Sequence, residues 1–195
     1  MIKMSVRADL TAVRDQLRRL EKGMREQAIA SALNRTAEMA KTAATRDITR
    51  DLNLQANYVR GRIQIRRASA RSGVLEVTLS SPGKRSANLI RFAERRVTIA
   101  THRRRVKEGK TGVYVKIRKA GGWKLVKGAF IGNKGRTVFR RVGRARLPIE
   151  ALQAIDVPQA MFSDIGVANL KRAVATIFPK RLAHEIDRLI KGIGT

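Results

Sequence analysis

Val74-Leu75-Glu76-Val77-Thr78-Leu79 is the stretch on which the reading of the fold turns. Leu75, Val77 and Leu79 in it fall at every second residue, the period of a half-buried β-strand, and Ile63 and Ile65 begin the same alternation just upstream. Everything before Ile63 keeps a different period. Leu10, Val13, Leu17 and Leu20 fall at helical spacing behind Asp9, a suitable capping residue, and predict an amphipathic helix ending near Gly23. Arg25 to Asp51 is rich in alanine (Ala28, Ala30, Ala32, Ala37, Ala40, Ala43, Ala44), which predicts a second helix whose small side chains admit a close neighbour. Asn53 to Gly61 reads as one short helix. The period therefore changes from helical to alternating near Ile63, and a helical pair is expected before that point.

Downstream, strands are predicted at Asn88 to Phe92, Gly112 to Arg118 (Val113, Val115 and Ile117 on one face), Trp123 to Val126 and Thr137 to Arg140. Gly121-Gly122 offers a hairpin turn between two of them, since glycine takes positive φ without steric cost. Arg95 to Lys110 has few apolar residues and contains Arg103-Arg104-Arg105, the pattern of an exposed or mobile loop. Helix returns from Pro158 to Phe178 and from Pro179 to Lys191, with Pro179 suited to a first turn and Leu182, Ile186 and Leu189 on the buried stripe. The expected fold class is α+β: N-terminal helices, a small mostly antiparallel β-sheet in the middle, and C-terminal helices. The expected organisation is one domain with helical extensions, namely a helical region over 1–52, a basic strand-rich core over 53–157 and a helical region over 158–195.

Charge dominates the composition. Among 195 residues, Lys and Arg total 43 against 15 acidic residues, a net charge of +28. A solvated helix face accounts for any one run of charge, but not for this sum. Such a surface repels itself and calls for a polyanion, most simply a phosphate chain, whose condensed counterions are released on binding. Between Lys84 and Arg146 the sequence holds 21 Lys and Arg against only Glu94 and Glu108. The candidate cations for contact with DNA or a partner are Arg95, Arg96, Arg103, Arg104, Arg105, Lys107, Lys110, Arg118, Lys119 and Lys124. The aromatics in this segment, Phe92, Tyr114, Trp123, Phe130 and Phe139, are few, and several are expected in the core. Phosphate contact without sequence readout follows better than base stacking.

The residues that usually carry catalysis are sparse. There is no cysteine, which excludes disulfides, thiolate metal sites and thiol nucleophiles and fits a reducing compartment. Glu108-Gly109-Lys110-Thr111-Gly112 contains a Gly-Lys-Thr, but the first glycine of a phosphate-binding loop would fall at Arg104, and no apolar strand leads in. His102 and His184 are too few and too separated for a metal site, and Ser80-Ser81 and Ser163 lack a nucleophile signature. No cofactor is called for, and a non-enzymatic protein is expected. The N-terminus lacks an apolar run of signal-peptide length, and no stretch approaches membrane-spanning length, which argues against export by a cleaved signal and against membrane insertion.

One region goes beyond composition. Lys127-Gly128-Ala129-Phe130-Ile131, Thr137-Val138-Phe139-Arg140-Arg141, Arg144-Ala145-Arg146-Leu147-Pro148-Ile149-Glu150-Ala151-Leu152 and Asp156-Val157-Pro158-Gln159-Ala160-Met161 follow one another at set spacing. Read physically, Phe130, Val138 and Phe139 suit paired strands. Pro148 restricts Leu147 to an extended backbone, and Ile149, Leu152 and Ile155 are expected to pack the turn back on the sheet. In order and spacing this stretch resembles the prophage minor tail protein Z family, the tail completion proteins of long-tailed phages. The similarity covers nearly the full chain and is most specific from Gly128 to Met161, with Phe130, Phe139, Arg140, Arg146, Pro148, Ile149 and Pro158 as its structural motif. The resemblance implies a structural role at the head-proximal end of the tail, in head-tail joining and in positioning the DNA end. It implies as partners the tail terminator, the tail tube, the head-tail connector and the viral DNA end. It also implies a homo-oligomeric ring located in the virion tail and assembled in the bacterial host cytoplasm.

Three other classes compete with this reading. A sequence-nonspecific nucleic-acid-binding protein would bind DNA or RNA alone, with steep salt dependence. A nuclease would assemble carboxylates from distant positions such as Glu76, Glu94 and Glu150. A membrane-surface protein would carry its charge on helices, whereas here it is densest on predicted strands.

Overall fold

A computed structural model describes residues 21–82, 87–94 and 104–193. Two long helices frame the molecule. Helix α1 (Lys22–Asp51) buries Ala28, Ala32, Thr36, Ala40, Ala44 and Ile48, one residue per turn along a single stripe. Their short side chains let the closing helix, α4 (Asp164–Ile193), approach closely. Phe178, Leu182 and Ile186 of α4 pack on Ala28 and Ala32, while Asn169 at its other end donates a hydrogen bond to Asp47 at 3.3 Å, so the two helices run antiparallel.

Three expectations about helices change here. Lys22 begins α1 behind Glu21, so Gly23 lies inside this helix rather than ending an earlier one; the helix expected over Asp9 to Leu20 lies outside the described residues. Pro179 does not open a last helix but sits inside α4. It forfeits one backbone hydrogen bond there, and the stripe of Phe178, Leu182 and Ile186 packed across it holds the helix continuous. The helical segment at Pro158 is the separate short helix α3 (Val157–Met161), capped by Asp156, whose side chain accepts from Val157 N–H while Gln159 Oε1 accepts from Asp156 N–H.

Between these helices lie α2 (Ala56–Arg62) and strands β1 (Gln64–Arg66), β2 (Thr78–Ser80), β3 (Ala87–Asn88), β4 (Gly112–Val115), β5 (Lys124–Lys127), β6 (Ala129–Gly132), β7 (Thr137–Arg141), β8 (Ile149–Ala151) and β9 (Gln153–Ala154). The chain is mixed α+β, but the expected single sheet is divided into β1-β2, β3-β9, β4-β5 and β6-β7-β8, each antiparallel. Alternation over Val74 to Leu79 yields strand only from Thr78, because Val74 and Leu75 are exposed and face no core. The strand expected over Asn88 to Phe92 stops at Asn88. Its side-chain Oδ1 accepts from Ile90 N–H and turns the chain into a 3₁₀ helix (Leu89–Phe92) that buries Leu89 and Phe92.

The β4–β5 hairpin also departs from expectation. Val115 pairs with Lys124, so residues 116–123 form the connection rather than Gly121-Gly122 alone, and neither of those glycines has positive φ. The early part of this connection leaves the hairpin for the end of α1: Asn53 N–H donates to Ile117 O and Lys119 N–H to Asp51 O. A glycine is required instead at Gly112. Its φ is +152°, and a Cβ there would stand 2.2 Å from Val126 O. The main core joins Ile48 of α1, Leu52, Val59, Ile63, Phe92, Val115, Val138, Val157, Met161 and Leu170, so helices and strands share one apolar interior. Ile149, expected to pack inward, is instead exposed, because β8 is an edge strand and its face points away from that interior.

Candidate polyanion and partner interface

The cations singled out from sequence fall into distinct environments. Arg95, Arg96 and Arg103 lie outside the described residues. Residues 104–107 form a helical turn leading toward β4; Arg104 and Lys107 on it and Lys110 just beyond it are exposed. Arg105 behaves differently: its guanidinium donates to Glu94 at 2.8 and 3.5 Å and lies 3.9 Å from the centre of the Tyr114 ring. The hydrogen bond to Glu94 raises the arginine pKa further above its already high value. Held between a carboxylate and an aromatic face, Arg105 fastens the basic turn to the sheet rather than projecting from it.

Lys110 donates to Glu108 at 2.8 Å, and that hydrogen bond lowers the Glu108 carboxyl pKa and raises that of Lys110. Arg118 donates to both oxygens of Asp51, at 3.0 and 3.1 Å, tying the β4–β5 connection to the end of α1. Lys119 and Lys124 are exposed beyond it. The hairpin register separates these groups. Lys127 pairs with Gly112 beside the 104–110 turn, whereas Lys124 pairs with Val115 at the opposite end, about 10 Å away at strand rise. The fold thus gathers Arg104, Lys107, Lys110 and Lys127 at one end of the hairpin and Lys119 and Lys124 at the other. Among the described residues, Lys107, Lys119, Lys124 and Lys127 have no ion-pair partner.

Of the structural-motif residues, Phe130, Phe139, Arg140 and Ile149 share the β6-β7-β8 sheet. Phe130 of β6 stands directly opposite Phe139 of β7, with ring centroids 5.9 Å apart. Arg140 opposes Glu150 and donates to its Oε1 at 3.0 and 2.6 Å. Arg146 and Pro148 lie in the exposed loop into β8, where Leu147-Pro148 is cis; Pro158 is buried in the first turn of α3, remote from that loop in sequence and in environment. Sequence reading passed over Arg141, whose guanidinium lies 5.6 Å from the Phe130 ring, and Arg144, an exposed cation two residues before Arg146. It also passed over Tyr58, whose ring receives Arg91 at 4.7 Å and Arg62 at 5.3 Å. The alternating strand register would have found Arg141; nothing local to Tyr58 announces its distant partner.

The same geometry bears on the catalytic alternatives. Gly109-Lys110-Thr111-Gly112 links a helical turn to a strand, the reverse of the strand-to-helix order in which a phosphate-binding loop presents its amides. Glu94 and Glu150 are engaged by Arg105 and Arg140, and Glu76 accepts from Thr78 at 3.3 Å. Among the described residues no group of three or more His, Asp or Glu could hold a metal ion, and no helix is long and apolar enough to cross a membrane.

A family model described as prophage minor tail protein Z (GPZ) matches residues 9–193. No curated protein and no solved structure matches the chain.

Proposed function

The chain belongs to the prophage minor tail protein Z family and is a structural component of a phage tail; from that premise we propose that it completes the head-proximal end of the tail and makes it competent to join a DNA-filled head. Its role is assembly rather than catalysis. The observation that carries the reading is the set of exposed cations on the β4–β5 hairpin and its preceding turn, Lys107, Lys119, Lys124 and Lys127, which have no ion-pair partner among the described residues. At the head-proximal end, the DNA terminus supplies the polyanion that such a surface lacks. Copies arranged as a closed ring around the tail axis would direct these cations toward the DNA, with the tail terminator, the tail tube and the head-tail connector as neighbours. The protein then resides in the virion tail after assembly in the bacterial cytoplasm.

Electron microscopy of particles made without this chain tests the proposal. Full-length tails beside unjoined, DNA-filled heads are expected; normally joined virions would defeat it. The contribution of the hairpin and its preceding turn is tested by replacing Lys107, Lys119, Lys124 and Lys127 with alanine while keeping Arg105, whose contacts with Glu94 and Tyr114 are structural. The expected result is poorer DNA retention in otherwise normal tails. The same cations favour a second reading, a sequence-nonspecific nucleic-acid binder acting outside the tail. That reading predicts normal virions without the chain, and tight DNA binding by the isolated protein that falls steeply with salt.

A further inference from the structure

The outward face of the β6-β7-β8 sheet shows a composition that DNA contact does not explain. Register places Phe130, Phe139 and Ala151 abreast, and sets Ile149 opposite Arg141 on the same face. The other face carries Val138, fully buried in the core. Ala129 and Val138 bury the centre of that face while Ile131 and the Arg140–Glu150 pair at its margins are exposed; because side chains alternate across a sheet, the Phe130 face is the one on which no residue is buried. Phe130 is 36% and Ile149 39% exposed, and in the loop between β7 and β8 Val142 is 64% and Leu147 67% exposed. Phe130, half-buried Phe139 and Ile149 share this face, and Val142 and Leu147 follow in the loop that joins two of its strands; such a set of largely exposed, large apolar side chains on a strongly charged protein marks an interaction surface.

The surroundings of this patch specify its occupant. Arg141 borders it at the Phe130 ring, and Arg144 and Arg146 rise exposed from the same loop with no ion-pair partner among the described residues. The only carboxylate on the three strands, Glu150, is already taken by Arg140. An apolar centre with a wholly cationic rim is the complement of an apolar centre with an acidic rim. A phosphate backbone would satisfy the arginines but leave Val142, Leu147 and Ile149 in contact with charge. A second copy of this chain would bring the same arginines and repulsion.

We infer that this face docks an acidic protein surface with an apolar centre, contributed by a neighbouring tail component. The inference rests on the tail assignment and assigns that neighbour to the sheet, leaving the β4–β5 hairpin for DNA. Two probes test it, tails purified from particles made without this chain and random-sequence duplex DNA, each titrated with the full-length protein. Leu147→Ser alters an exposed loop residue without touching the core, and Phe130→Ser with Ile149→Ser alters the sheet itself. Both are expected to weaken tail binding by about tenfold or more while leaving DNA binding unchanged. Arg144→Glu with Arg146→Glu is expected to weaken tail binding as well, with a shallower salt dependence than the parent. Should the sheet variant fail to fold, Leu147→Ser and Val142→Ser carry the same test.

The inference is overturned if the variants bind tails like the parent, if the apolar variants lose DNA binding to the same degree, or if charge reversal leaves tail binding intact. It is also overturned if sedimentation shows a parent oligomer that Leu147→Ser dissolves without affecting tail binding, since the occupant would then be a second copy. Parent protein that fails to bind the tails at all would defeat the tail reading itself, an outcome distinct from variants that bind as the parent does.

Discussion

At the scale of the residue, the structure is settled by a few polar side chains whose partners are far away in sequence. Asn88 Oδ1 accepts from Ile90 N–H and from Val138 N–H, both at 3.0 Å, and so turns the chain into the 3₁₀ helix while fixing β7 against it. Asn88→Ala leaves the N–H of fully buried Val138 without that acceptor and is expected to lower stability by about 1–3 kcal/mol, measured by urea unfolding. Asn88→Asp keeps the acceptor and should cost less; equal losses would show that the oxygen is not the reason. Arg105 and Lys107 make the opposite comparison. Arg105→Ala should lower the thermal midpoint, because Glu94 and Tyr114 lose their partner, whereas Lys107→Ala should leave the midpoint unchanged and weaken DNA binding. Reversed effects would refute the division between fastening and contacting cations. In the sequence both residues belong to one basic cluster, since charge is legible there and direction is not.

At the scale of the element, legibility follows how much of the pattern is local. The alanine stripe of α1 and the strand pair at Phe130 and Phe139 are set by spacing along the chain, and the structure contains both. Pro179 has a local preference for a first turn, but the packing of Phe178, Leu182 and Ile186 on α1 overrides that preference. Local pattern predicts strands at Asn88 to Phe92 and Val74 to Leu79, yet a short apolar run does not say whether a core lies opposite it. Pro179→Ala restores a backbone donor for the carbonyl of Ala175 and is expected to raise stability by about 1–3 kcal/mol in chemical unfolding; a loss would mean that the proline shapes the helix pairing. Ala32→Leu, at a position with no exposure beneath α4, is expected to cost about 1–3 kcal/mol by overpacking the two helices. Retained stability there would show that the helices can separate freely.

At the scale of the whole molecule, charge sets both the constraint and the use. A net charge of +28 favours expansion and is relieved by screening. The thermal midpoint of the isolated protein should therefore rise as sodium chloride increases from about 20 to 200 mM, a range over which the screening length shortens several-fold. A midpoint that falls with salt would mean that ion pairs such as Arg105 with Glu94 outweigh the overall repulsion. The strand-rich middle concentrates the cations, while the helix pair and the shared core hold it in place. That division was legible as composition before any fold was known; the separation of the hairpin cations from the apolar face of β6-β7-β8 was not, because it depends on strand register. The most direct test of the central proposal is an in vitro joining reaction, in which purified protein is added to DNA-filled heads and to tails assembled without it. The account predicts that infectious particles appear only when the protein is added, in proportion to its concentration until tails are saturated. Equal yields with and without the protein would contradict it.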